Sequence, residues 1–233
     1  KDKLEYNDLM NLLIKAELSI IEKDFPTASL HYQQASVKNC RDSYEFARTS
    51  LLLGDSFYNY GKYEKALNCY QNLEKVWTFL YGNDHFYFSS LNVKIGKSQF
   101  EQGKYLESLD SYSKSLVMNR EVLRLSENSL SFAEVYEGLG NCHFALAKYE
   151  GAREWFEKAL SIYSLPSNEL YAQSCHALCK IGKVYYSEAK FDKSYESIMR
   201  AHEICKNKLG IDHAVVGFIH FSMANLLYHV GNY

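Results

Sequence analysis

At 233 residues, 47% of them hydrophobic, the chain is long enough to bury a substantial core. A formal net charge of -2, from 26 Lys and Arg against 28 Asp and Glu, gives no basic footprint for a polyanion, so nucleic acid is not an expected partner. With two prolines and no Ser/Gly-rich or low-complexity linker, a single domain over 1–233 is expected.

Apolar and small residues recur at helical spacing along the chain, and the elements fall into pairs. Residues 4–23 form the first predicted helix and 26–38 its partner, with Pro26 at a helix start where a missing N–H costs nothing. The next hairpins are predicted over 43–80 and 86–125, the second helix of the latter running 105–125. A fourth follows over 129–164, and Pro166 then breaks the chain. Residues 168–189 pair with 191–208, and 212–233 supplies half of a sixth hairpin. Between Asp212 and Tyr233 there is no Asp, Glu, Lys or Arg, yet His213, His220, Asn225 and His229 interrupt the run. A core-facing helix fits it better than a membrane span. Lys1 is not an initiator, and Gly231-Asn232-Tyr233 falls where a turn should open a second helix, so a piece of a longer protein is expected.

The clearest hairpin reads Ala133 to Tyr163, with Tyr136, Leu139, Gly140 and His143 in one half and Tyr149, Ala152, Phe156 and Ala159 in the other. Its connector at Ala147-Lys148 is short enough only for antiparallel neighbours. Gly140 and Ala152 are expected to be small because two backbones approach closely there. The same frame gives Gly54 with Gly61, Tyr63, Ala66 and Tyr70, then Gly96 with Gly103, Tyr105, Ser108 and Tyr112, and Gly182 with Phe191, Ser194 and Ala201. The small residue thus returns at Ala16, Gly54, Gly96, Gly140, Gly182 and Ala224.

This pattern resembles the tetratricopeptide repeat. The resemblance implies an all-α, right-handed superhelical solenoid of antiparallel helix hairpins. The spacing of the small residues exceeds the usual repeat of about 34 residues, as in the long repeats of the kinesin light chain and LGN families. Tyr81-Gly82-Asn83-Asp84-His85 and Leu209-Gly210-Ile211-Asp212-His213 are similar to the Leu-Gly-x-Asp-His turn of kinesin light chains, without its following proline. The Asp is expected to cap the next helix. Leu139-Gly140-Asn141 with Phe144 is similar to the core of LGN repeats.

In such a solenoid the first helix of each pair lines the concave groove. One residue past the small residue stand Glu17, Asp55, Lys97, Asn141, Lys183 and Asn225, all polar. Three further on stand Ile20, Tyr58, Phe100, Phe144, Tyr186 and Tyr228, five of them aromatic. Polar groups that meet a peptide backbone beside rings that form side-chain pockets suit an extended or partly helical segment of a partner protein. The resemblance extends ligand-backbone contact to Asn141 and Asn225. The alternative is that the rings pack between hairpins and the polar column is solvated. Lys94 with Lys97, and Lys180 with Lys183, form matched pairs that would favour an acidic ligand, against which Glu134 and Glu137 lie between them. The stations of a chaperone-tail carboxylate clamp read Leu13, Glu17, Leu52, Ser90 and Lys94, with only the last basic, which argues against that ligand.

Catalytic motifs are lacking, so no enzyme activity and no cofactor are expected. Cys175-His176 with Cys179, and Cys142-His143, fall short of a four-ligand zinc set, and the six cysteines read as reduced thiols inside helices of a cytoplasmic protein. The expected function is a non-catalytic adaptor or scaffold. The alternatives are a structural or self-assembly module using the ends or the convex face, for which the 20 Tyr and 13 Phe argue, or the peptide-sensing part of a larger signalling enzyme.

Overall fold

The computed structural model describes residues 43–83, 85–210 and 212–231, with scattered positions before residue 43. The predicted hairpin over 4–38 therefore lies largely outside the described residues, although Ala16, its small station, is fully buried. Among the described residues there are nine α-helices and no strand. They are α1 Ser43–Asn59, α2 Tyr63–Tyr81, α3 Tyr87–Glu101, α4 Tyr105–Val117, α5 Leu130–Ala145, α6 Tyr149–Tyr163, α7 Tyr171–Ser187, α8 Phe191–Lys208 and α9 Ala214–Val230. The fold class is all-α, as expected.

The chain divides into two compact units, Lys1–Met118 and Asn119–Tyr233. In the first unit α1 pairs with α2 and α3 with α4, while α2 also packs on α3. Its core gathers Leu53, Phe57, Tyr70, Leu73, Trp77, Phe88 and Leu91 with Ala16. In the second, α5 pairs with α6 and α7 with α8, α6 packs on α7, and α9 lies against α7 and α8. Cys175, Leu178, Ile198, Ile219 and Leu226 share one core there, and Phe156, Ile181 and Val184 another.

At Gly54, Gly96, Gly140 and Gly182 the small residue makes room for a side chain, and at Gly182 also for backbone, with the Ser194 carbonyl 3.3 Å from where a Cβ would stand. A Cβ on Gly140 would stand 2.6 Å from the Phe156 ring, and one on Gly54 would stand 2.4 Å from the Tyr70 ring. Gly96 faces Tyr112 at 3.1 Å, and Gly182 faces Ile198 at 2.9 Å. In all four hairpins the intruding side chain comes sixteen residues on. The second helix thereby lays one large group across the bare backbone of the first.

The four hairpin turns share one conformation. Gly61, Gly103, Ala147 and Ala189 have φ of 74°, 76°, 56° and 56°, and a lysine follows each. The left-handed residue donates its N–H three carbonyls back, as in Gly103 to Phe100 at 2.9 Å and Ala147 to Phe144 at 3.0 Å. The lysine N–H reaches five back, as in Lys104 to Gln99 at 2.9 Å and Lys148 to His143 at 2.9 Å. Both bonds satisfy carbonyls that the ending helix leaves open.

Three local expectations are corrected. The helix predicted over 105–125 leaves α geometry after Val117 in a π-helical turn, Met118–Val122. Within that turn buried Asn119 donates to the Ser131 carbonyl and accepts from the Leu125 N–H. The helix predicted from 168 begins at Tyr171, because Asn168 instead donates its side-chain amide to the Ile162 carbonyl at the end of α6. Asp212 does not cap α9: the cap is His213, whose Nδ1 accepts from the Val215 N–H at 3.2 Å. His85 repeats the bond before α3, with Nδ1 accepting from Tyr87 N–H at 3.5 Å, and Asp84 lies outside the described residues.

Two substitutions test these backbone requirements. Gly140→Ala should lower unfolding stability by about 1–3 kcal/mol, since the Phe156 ring must be displaced. Ala147→Gly should raise it by about 0.5 kcal/mol, relief of the left-handed alanine outweighing the added entropy of the unfolded chain. Urea unfolding followed by circular dichroism measures both.

Candidate interaction site

The aromatic column sits at the hairpin turns. Tyr58 packs on Tyr63 with centroids 5.4 Å apart, Phe100 on Tyr105 at 5.3 Å, Phe144 on Tyr149 at 5.7 Å and Tyr186 on Phe191 at 5.8 Å. Each ring thus meets the first residue of its own second helix, and Phe144 also packs against the core that Ile181 and Val184 of the next hairpin share. The four rings stay half-buried, and Tyr228 in α9 is exposed.

The lysines divide into two kinds. Lys94 and Lys180 are bound within the fold. In the first unit the Lys94 ammonium donates to both Asp55 oxygens, at 2.7 and 2.9 Å, and the Tyr70 hydroxyl donates to Asp55 Oδ1 at 2.6 Å. In the second, Lys180 donates to Glu137 Oε1 and the Tyr163 hydroxyl to Glu137 Oε2 at 2.9 Å. Each carboxylate therefore ties its own second helix to the next first helix. Desolvation, then the adjacent carboxylate, pushes both phenols far above the usual tyrosine range, so each acts as an O–H donor. Burial disfavours the charged Glu137, but Lys180 and the bonds from Lys180 and Tyr163 outweigh it and hold the carboxyl below its ordinary value.

The two lysines occupy the same place in an identical tetrapeptide, Lys94-Ile95-Gly96-Lys97 and Lys180-Ile181-Gly182-Lys183. Their carboxylates do not correspond. Asp55 follows the glycine of α1, whereas the residue after the glycine of α5 is Asn141, and Glu137 stands one turn earlier. Asn141 is consequently left out of the ionic network: half-buried, its amide has no hydrogen-bond partner among the described residues. On α7, the next first helix, Lys183 places its ammonium 4.9 Å from the centre of the Phe144 ring, within cation–π range. The second unit thus brings Asn141, Phe144, Lys183 and Tyr186 onto α5 and α7, with Asn225 and Tyr228 exposed on α9. Sequence reasoning placed Tyr70 and Tyr163 in the hairpins but not in these networks, and it counted Glu137 only as a charge opposing the lysines.

Residues 87–164 match the tetratricopeptide repeat family model. No curated protein matches the chain. Among solved structures, BtubC (BKLC) from P. vanneervenii superposes with a TM-score of 0.72 at 20% identity, over 87% of this chain and 84% of that one. The repeats of a putative kinesin light chain from Podosopora anserina give 0.71 at 13% identity, over 85% and 95%. The chain has the fold of tetratricopeptide repeat proteins. A Rap protein complexed with Competence and Sporulation Factor has the same repeat fold, with a TM-score of 0.67 at 17% identity over 94% of this chain and 64% of its own.

Among the described residues Cys142, Cys175, Cys179 and Cys205 are buried, and Cys69 is half-buried. Cys175, Cys179 and Cys205 are buried together, and Cys175 donates to the Ala201 carbonyl at 3.3 Å. Burial pushes the Cys175 thiol up to about 12 and the Cys179 thiol up to about 11, so both stay protonated. Among the described residues no group of three or more His, Cys, Asp or Glu side chains is placed to hold a metal ion.

The Glu137 network carries a pH signature. Its carboxyl is lowered from 4.5, so its stabilisation is present in full above that value and is lost as pH falls below 4.5 toward the folded value. Glu137→Gln should flatten the pH dependence of stability in this window, measured by urea unfolding between about pH 6 and pH 3.

Proposed function

We propose that the chain is a non-catalytic interaction scaffold that holds an extended or partly helical segment of a partner protein on the first-helix side of its hairpins, in the cytoplasm. The observation that carries this reading is the Asn141 side chain, half-buried beside Phe144 and without a partner among the described residues. An amide in that position can pair with a peptide C=O and N–H whatever the ligand sequence. Phe144 and Tyr186 offer apolar surface for its side chains, and Lys183 favours a segment with an acidic residue. In the first unit the corresponding face includes Asp55, Tyr58, Lys97 and Phe100, with Asp55 and Lys94 already joined. There the reading is limited to shape and ring contacts. The likeness to a Rap protein complexed with Competence and Sporulation Factor supports ligand capture by this fold and keeps open a place in a larger signalling protein.

The interaction is testable by affinity capture and calorimetry. Asn141→Ala should weaken a partner by about 1–3 kcal/mol, the cost of orphaning a buried polar contact, with thermal stability unchanged. Equal affinity for the parent and the Asn141→Ala/Asn225→Ala pair would sink the reading.

A second reading, self-assembly, is favoured by α9. Phe221 occupies the station that Cys179 fills in α7, yet it is 64% exposed where Cys179 is 2% exposed, and Phe218 lies exposed one turn before it. Among the described residues no helix is long and apolar enough to cross a membrane; on this reading a second copy of the chain covers the exposed face. Multi-angle light scattering should then give a dimer that Phe221→Ser converts to monomer. A parent that stays monomeric at all concentrations removes this reading.

A further inference from the structure

Each unit has a cleft between consecutive second helices, floored by the first helix that lies between them. In the first unit it measures about 390 Å³, with Gln71 and Glu74 from α2, Asn92 and Gln99 from α3, and Glu107 and Asp110 from α4. On α3, at about 100° per residue, Asn92, Ile95 and Gln99 face away from Lys94 and Lys97, so this surface is separate from the proposed groove. The second unit has its counterpart of about 240 Å³, and its residues follow at a constant offset of 86 positions. That offset sets Leu160 against Glu74, Leu178 against Asn92, Tyr185 against Gln99 and Lys193 against Glu107.

The comparison isolates what is unusual in the first cleft. Leu178 is 1% exposed, so the fold takes an apolar group at this station, but Asn92 stands there 7% exposed. Its amide has no hydrogen-bond partner among the described residues and borders the cleft. A largely buried residue whose amide faces the cleft without a protein partner gains nothing for the packing that leucine would not, and nothing in the local backbone requires it. Beside it Gln99 accepts the Ser111 hydroxyl through Oε1 at 2.7 Å, which leaves its NH2 group to the cleft. The charge is also one-sided. Asp110 holds Lys114 at 2.8 Å, and Glu74 and Glu107 have no ionic partner among the described residues. The first turn of α4 accounts for an acid at Glu107, but not for Glu74 or Asn92.

We propose that this cleft is a second docking surface, which takes an extended, lysine- or arginine-bearing segment of a partner protein. The Asn92 and Gln99 amides meet the segment's backbone, Ile95 meets an apolar side chain, and Glu74 and Glu107 pair with its cations. Buried amides offer both donor and acceptor to a peptide group, and two unneutralised carboxylates reject an acidic or phosphorylated ligand.

The test uses the whole chain and short fluorescein-labelled peptides of randomised sequence, one pool fixed with lysine and arginine and one with glutamate at the same positions, read by fluorescence anisotropy. The basic pool should bind, at least tenfold more weakly to Asn92→Leu and to Glu74→Gln/Glu107→Gln, and unchanged to Asn141→Ala. The Asn92 and Gln99 side-chain amide signals should shift in 15N–1H spectra, and Asn92→Leu should melt no lower than the parent. Equal binding of the two pools to Asn141→Ala, where the first-helix groove is disabled, binding of the basic pool retained by Asn92→Leu, or a markedly lower melting temperature for that variant overturns the proposal, the last by making Asn92 a structural residue. Binding lost in Asn141→Ala but kept in Asn92→Leu also overturns it, while leaving the first-helix reading in place.

Discussion

The contact on which the rest of the structure depends is a large side chain laid over a glycine of the preceding helix. Tyr70 on Gly54 and Phe156 on Gly140 leave less than 3 Å for any Cβ, so no other residue fits without moving a ring that is itself buried. Because the two partners stand sixteen residues apart, the contact fixes how far each helix runs before the chain turns. It also fixes which face of the second helix looks inward. The left-handed residues at the turns follow from this. With the reversal point set, Gly61, Gly103, Ala147 and Ala189 must each take positive φ, even where alanine does so at a cost.

Once the helices are placed, side-chain chemistry at a fixed station decides whether that station serves the fold or a ligand. Lys94 and Lys180 lie in identical tetrapeptides and both form ion pairs, yet their carboxylates come from different positions. In the first unit Asp55, directly after the glycine, draws in both Lys94 and Tyr70. In the second the carboxylate has moved one turn back to Glu137, and the station after the glycine carries an amide with no hydrogen-bond partner among the described residues. The ionic tie between neighbouring hairpins is kept, and the position nearest the open face is released.

Much of this was legible in the sequence. The recurring small residue with aromatic partners gave the hairpins and their turns, because a glycine forced by a ring leaves a mark that neither propensity nor solvent exposure produces. The turn rings Tyr58, Phe100, Phe144 and Tyr186 were legible as a column, but not as partners of Tyr63, Tyr105, Tyr149 and Phe191, which needed the geometry of the reversal. The cap of α9 differs from the expectation because aspartate is the commoner cap, whereas here His213, after Asp212, takes the bond through Nδ1. The lysine pairs misled for a related reason. Spacing shows that Lys94 and Lys97 share a face of α3, and only packing shows that Asp55, thirty-nine residues earlier, is close enough to claim one of them.

The offset of 86 residues makes the two units controls for each other. A residue type that recurs at a station, as Gly96 and Gly182 do, is explained by what the hairpin needs. A residue type that differs there without a structural gain asks for another explanation. Asn141 against Asp55 and Asn92 against Leu178 are differences of this second kind, each leaving an amide unpaired among the described residues where the other unit has a satisfied group. They lie on opposite sides of the hairpins and in different units. Since the same architecture accepts a satisfied residue at each station, an amide there without a protein partner is most simply understood as complementarity to a polar group supplied by a ligand.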